Sequence, residues 1–188
     1  EADSAGLNPI TYFLASGTDR IGGLDFQASP TEYVPRQEPA TLEELVDGAR
    51  HVEAGIPLPE AIADAFQHGS SIGGARPKVL VDHRGTKLIA KLQSSRDPFA
   101  IVKAEGVAME LARRCGLNVP AVQMTEAMDL DVLLVERFDR PAPDERRLMV
   151  SALTMLQLDE IAARYATYVD LADVIRASFT EPEATLRE

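Results

Sequence analysis

Tryptophan is absent and aromatic residues make up only 5% of the 188 residues. Any core must therefore be built from Leu, Val, Ile and Ala. One cysteine, Cys115, excludes an internal disulfide and fits a reducing compartment, so a cytoplasmic location is expected. Positive charge is short: 19 Lys and Arg stand against 30 Asp and Glu, a formal net charge of -11. That balance argues against a chain that grips nucleic acid with its whole surface. No apolar run reaches membrane-spanning length and no signal peptide is recognisable, so no membrane partner is expected. Asparagine is also scarce, with Asn8 and Asn118 the two examples. What is present is 45% apolar residues, enough for one good-sized domain or two small ones.

The pattern along the chain divides it in three. Residues Ile10 to Phe26 read as a strand, a Gly/Asp turn and a second strand. TLEELVDGARHVEAG then opens with a capping box, Thr41 and Glu44, and carries an apolar stripe of Leu42, Leu45, Val46, Ala49 and Val52. Gly55 and Pro57 should end that helix. PEAIADAFQHG predicts a second short helix closed by Gly69. From Ser70 the character changes. VLVD and LIAKLQ are two short strands joined by DHRG, a hairpin turn. IVKAEGVAMELARRCG is a helical segment whose inner face is expected at Ala104, Ala108, Leu111, Ala112 and Cys115, with Gly116 as its stop. Two further strands follow, the second being VLLVERFDR. RRLMVSALTMLQ and VDLADVIRASF predict helices. The expected domains are a small α/β piece over 1–69, a strand–strand–helix–strand–strand lobe over 70–140 and a helical segment over 141–188. The fold class is α+β.

Lys91 stands inside an apolar strand, and an ammonium stranded in a dry core is costly. Strand alternation places Ile89 and Lys91 on one face, with Leu88, Ala90 and Leu92 on the other. Glu105, in the first turns of the following helix and on its sheet-facing side, is the candidate counter-ion. A strand lysine held by a glutamate of the next helix is how protein kinases position the α- and β-phosphates of ATP. The competing reading is an edge lysine that snorkels to water.

Two flanking stretches bear on that choice. SSIGGARPK has the glycines and hydroxyls that let backbone N–H groups converge on a phosphate, but it is neither a Walker A loop nor a G-x-G-x-x-G loop. Lys78, at its end, either reaches a phosphate or merely starts a strand. At the end of VLLVERFDR, backbone groups of Glu136 and Phe138 have the character of a kinase hinge against a purine edge. The alternative there is a strand leaving the core through a solvated, charged loop.

Together these stretches resemble the HipA-like serine/threonine kinase family, the toxin kinases of bacterial toxin–antitoxin systems. The matching segments are SSIGGARPK, LIAKLQ, KAEGVAMELARRCGLNVP and VLLVERFDR. RIGGLDF is similar to the family's small first subdomain. The resemblance implies a protein-kinase-like N-lobe of antiparallel sheet plus helix, preceded by a small α/β subdomain and followed by the first helices of a C-lobe. It also implies ATP and Mg²⁺ as cofactors. Ser71, Ile72, Gly73, Gly74 and Ala75 would belong to the phosphate-binding loop, with Ser71 at the autophosphorylated position. Lys78 and Lys91 would face the phosphates, Glu105 would hold Lys91, and Glu136 and Phe138 would hold adenine. The implied partners are a helix-turn-helix antitoxin, DNA only indirectly through that antitoxin, and a protein substrate such as an aminoacyl-tRNA synthetase. The sequence departs from the family where Ala75, Arg76, Pro77 and Lys78 replace the usual small residue, Gln, Glu and Lys.

Phosphoryl transfer needs more than this. Asn8 follows Asp3 in a D-x-x-x-x-N spacing but stands near the start, ahead of the lysine strand, Asn118 sits in the LNVP turn without that spacing, and no histidine follows Arg140. The catalytic Asp and Asn are expected downstream, so the chain reads as the N-terminal portion of a kinase that is inactive alone. Exposed apolar surface is expected at Leu148, Leu153, Leu156 and Val174. The alternatives are a non-catalytic regulatory or binding module of a toxin–antitoxin system, and a small-molecule kinase sharing the strand lysine and hinge.

Overall fold

The computed structural model describes residues 8–36, 41–59, 63, 78–142, 144–159 and 161–187. The expected helix over PEAIADAFQHG, its Gly69 stop and the loop residues Ser71, Ile72, Gly73, Gly74 and Ala75 lie outside these, apart from Pro59 and Ala63.

Four antiparallel strands form one sheet: β1 (Lys78–His83), β2 (Thr86–Leu92), β3 (Val122–Ala127) and β4 (Leu130–Glu136), in the order β1-β2-β4-β3. Both hairpins close with two residues of positive φ, Arg84–Gly85 and Met128–Asp129. Such turns match the right-handed twist of the strands they join. Gly85 bears this geometry without cost, whereas Met128 and Asp129 bear it as side-chain-carrying residues.

One helix covers each face. α2 (Leu42–Ala54) starts at the expected capping box, in which Thr41 and Glu44 satisfy each other's backbone N–H groups. It ends at left-handed Gly55, where the Gly55 N–H donates to the Val52 carbonyl and Ile56 to that of His51. Its Leu45, Val46 and Ala49 enter one core with Val79, Ala90, Leu92, Ala127 and Val132. α3 (Ile101–Arg114) covers the other face, where Val102 packs with Leu133 and Val135, flanked by Ile89 and Val122. α3 ends in the same way, with Gly116 donating to the Arg113 carbonyl and Leu117 to that of Ala112. The expected inner face of α3 is displaced. Val102, Glu105, Gly106 and Met109 turn inward, and of the expected positions Ala112 is half-buried while Ala104, Ala108, Leu111 and Cys115 are exposed. Gly106 explains the choice: a Cβ there would lie 3.2 Å from the Met124 sulfur and 3.4 Å from a Leu133 methyl, so the helix rides close over β3 and β4 at its bare position.

The strand–turn–strand expected over Ile10 to Phe26 is not formed. Pro9–Ala15 is a helix, α1, capped by the Asn8 side chain with Pro9 in its first turn. Asn-Pro is a helix-start signal, since proline's missing N–H costs nothing there. The chain from Ser16 to Arg36 is irregular. Its Phe13 and Phe26 rings stack at 4.3 Å with the Arg20 guanidinium over both.

After the sheet, RRLMVSALTMLQ forms helix only at α4 (Ala152–Met155), started by a Ser151 cap. Arg146–Ser151 is not helical because it is held elsewhere. Arg146 donates to the Thr18 carbonyl, Met149 lies against Gly22 and Leu148 against Gly23. Tertiary contact here overrides helical propensity. A short 3₁₀ turn (Ala162–Tyr165), α5 (Tyr168–Ser178) and α6 (Pro182–Arg187) complete the described chain. Leu148 is exposed as expected, whereas Leu153, Leu156 and Val174 are half-buried. The exposed apolar surface of this segment lies instead at Met149, Val150, Ile161, Tyr165, Tyr168 and Val169. Among the described residues no helix is long and apolar enough to cross a membrane.

Candidate nucleotide site

Strand register sets out the α3-covered face in rows. Lys78, Lys91, Leu133 and Met124 stand side by side across β1, β2, β4 and β3. The next row is Leu80, Ile89, Val135 and Val122. A cationic row thus adjoins an apolar one, and directly opposite residues project from the same side of a sheet.

The Lys91 ammonium donates to Glu105 Oε1 on α3. Both side chains keep about a third of their surface, 31% and 33%, so the pair is partly open to water and to an anion. α3 can hold Glu105 there because Val102, one turn before it, is anchored in the core, and Gly106, just after it, permits close approach. Lys78 is half-buried at the edge of the same row. Two lysines thus stand side by side in neighbouring strands of a chain that is acidic as a whole.

At the end of β4 the backbone divides its groups. The Glu136 N–H donates to the Ala121 carbonyl at 2.9 Å and the Arg137 N–H to that of Lys87 at 3.0 Å. The Phe138 N–H donates to no backbone group among the described residues, and its ring is exposed. A groove of about 270 Å³ opens beside it, lined by Pro120, Ala121, Glu136, Arg137, Phe138, Pro141 and Arg147. The structure thus brings Lys78, Lys91 and Glu105 to one face and Glu136 and Phe138 to one groove. Among the described residues no group of three or more His, Cys, Asp or Glu side chains could hold a metal.

The charged residues after β4 are not a solvated loop. Arg137 and Asp139 are among the most deeply buried side chains of the molecule, and Arg140 is buried beside them. Arg137 makes a two-pronged bond to Asp139 at 3.0 and 2.8 Å, and its third nitrogen donates to Asp19 at 3.0 Å. Arg140 donates to Asp139 at 2.8 Å, to Asp19 at 3.1 Å and to the Gly22 carbonyl at 2.9 Å. Both guanidinium groups also donate to the Arg20 carbonyl. The Gly22 N–H returns a bond to Asp139 at 2.8 Å. Burial opposes ionisation of Asp139. The bonds from Arg137 and Gly22 and the nearby cations outweigh it, so the carboxyl is held below its usual range. Arg140 is drawn the other way, lowered first by burial and then by the charge of Arg137. Lys87 is raised: burial works against its charge, but Asp82 and Asp19 prevail. The sequence signalled none of this, because the partner of Arg137 lies 118 positions upstream.

A protein-family model described as HipA-like C-terminal domain matches residues 70–188. The chain belongs to the HipA-like family. Its mixed α+β architecture is that of HipA-like kinases. It is similar to a chain in the solved complex of the Shewanella oneidensis MR-1 toxin–antitoxin system HipA, HipB and its operator DNA. The two share 25% identity with a TM-score of 0.50, over 84% of this chain and 40% of that one. This HipA-like chain therefore spans less than half the length of that relative. No curated protein matches it.

Proposed function

We propose that this HipA-like chain is the ATP-binding portion of a protein serine/threonine kinase. The observation that carries the reading is the Lys91–Glu105 ion pair between β2 and α3, beside an apolar row and a groove at the end of β4. On this reading Lys91 and Lys78 neutralise phosphate oxygens. Glu105 keeps the Lys91 ammonium aimed. Ile89 and Val135 roof the adenine, and backbone groups of Glu136 and Phe138 hold its edge. Ser71, Ile72, Gly73, Gly74 and Ala75 would close over the phosphates, with Ser71 as the site of autophosphorylation. Mg²⁺ would accompany the nucleotide and neutralise charge on its phosphates. No D-x-x-x-x-N spacing follows the hinge strand, and the one in the chain, Asp3 to Asn8, ends at the cap of α1 ahead of the lobe, so the chain alone is inactive.

The cellular partners follow from the family. A helix-turn-helix antitoxin would bind the protein and link it to operator DNA, and an aminoacyl-tRNA synthetase is the class of substrate. The expected cytoplasmic location agrees with these partners. The missing catalytic Asp and Asn favour a second reading, a regulatory module that binds nucleotide or kinase without catalysis. Calorimetric titration of the chain and of Lys91→Ala with ATP and Mg²⁺ tests the nucleotide site. Binding that the substitution weakens by about tenfold or more is expected, the scale of one charged contact to phosphate. A folded wild-type chain that binds no ATP would overturn the reading.

A further inference from the structure

Asp19 lies in the irregular arm before the sheet, remote in sequence from the nucleotide site, yet three cations converge on it. Its Oδ1 accepts from Arg137 at 3.0 Å and from Arg140 at 3.1 Å, and its Oδ2 pairs with Lys87 of β2 at 3.3 Å. The arm around it is locked in turn. The Thr18 N–H donates to the Arg36 carbonyl at 3.0 Å, the Thr18 carbonyl accepts from Arg146, and Arg20 sits over Phe13 and Phe26. Arg137 is the residue between Glu136 and Phe138. Its side chain is wholly buried, and Glu136, Arg137 and Phe138 all line the groove.

We propose that Asp19 is a positioning residue for the nucleotide site, acting through Arg137 to fix the backbone from Glu136 to Phe138 in the orientation that receives a purine edge. The proposal rests on the nucleotide reading above. Asp139 neutralises one of the two buried guanidinium groups, and Asp19 is the only other carboxylate that touches both of them among the described residues. An arginine left short of a counter-ion in a buried site turns toward water. The Arg137 side chain is wholly buried and has no open space to turn into, so a lost partner is felt by the backbone that carries it, between Glu136 and Phe138. Lys91 pairs with Glu105, and among the described residues no hydrogen bond or ion pair is seen between these two and the cluster, so the phosphate end of the site is held separately.

Hydrogen exchange followed by mass spectrometry on the chain and on Asp19→Asn tests this without any nucleotide. Faster exchange is expected in peptides covering Glu136–Arg140, with β1 and α3 unchanged. Equal exchange in the two folded proteins would overturn the proposal. Should Asp19→Asn fail to fold, Asp19→Glu keeps the charge and displaces it by one methylene, and the same local acceleration is expected. Titration with adenosine and with inorganic tripolyphosphate supplies the second readout. Asp19→Asn should weaken adenosine by about tenfold, the worth of a misplaced bidentate edge, and leave tripolyphosphate unchanged. Equal losses for both ligands would mean a merely structural role and would sink the idea. If the wild-type chain binds neither ligand while exchange still accelerates, the nucleotide reading fails and the positioning of this backbone by Asp19 stands.

Discussion

At the scale of single residues, the chain's charges divide into those that were legible and those that were not. Lys91 and Glu105 could be paired on paper because strand alternation and helix spacing are local rules. Arg137, Asp139 and Arg140 could not. A run of charges after a strand reads as a solvated exit, and nothing local reveals a partner as distant as Asp19. Burial of such a cluster has a measurable signature. The carboxyl of Asp139 titrates below its ordinary 3.8 in the folded state. Its stabilising contribution is therefore present above about pH 4 and is lost as pH falls through the folded value. Chemical denaturation of wild type across acidic pH should show that loss, and Asp139→Asn should show less of it. At neutral pH the same substitution should cost about 3 kcal/mol, because two buried guanidinium groups lose a shared counter-ion. An unchanged pH profile in the variant would mean that Asp139 does not carry the acid sensitivity.

At the scale of elements, capping chemistry and turn residues carried much of the reading. The box at Thr41 and Glu44 and the glycines at 55 and 116 mark the helix ends they were expected to mark. The four strands fall where the short apolar runs placed them. The errors have physical causes. α1 is hidden in the sequence because the aromatic and branched residues after its Asn-Pro start have strand character. The segment before α4 lies against Gly22 and Gly23 through contacts that no local pattern encodes. The inner face of α3 is ambiguous in the sequence because the helix carries small and apolar residues on both faces. Gly106 decides which face wins, and this is open to test. Gly106→Leu gains helix propensity but drives a side chain into Met124 and Leu133. Overpacking of that kind costs about 1–3 kcal/mol, against less than about 1 kcal/mol gained from propensity. Thermal melting should show net destabilisation. A more stable variant would mean that α3 does not ride on its Gly106 face.

At the scale of the whole molecule, the sheet is a platform with two distinct sides. α2 closes one face as an apolar core, and α3 leaves the other with a row of lysines next to an apolar row. The N-terminal arm is not a separate appendage, because Asp19 and Gly22 are tied into the end of β4. The exposed apolar residues after Arg147 lie on the segment that leads away from the sheet. The central claim is that the cationic row and the groove beside Phe138 form the two ends of one adenine-nucleotide site. Photolabelling with an azido-adenine analogue of ATP, followed by peptide mapping, tests it most directly. Label is expected in peptides containing Pro120–Ala121 or Glu136–Pro141, suppressed by excess ATP and reduced in Lys91→Ala. Label scattered over the surface, or untouched by competing ATP, would contradict the account.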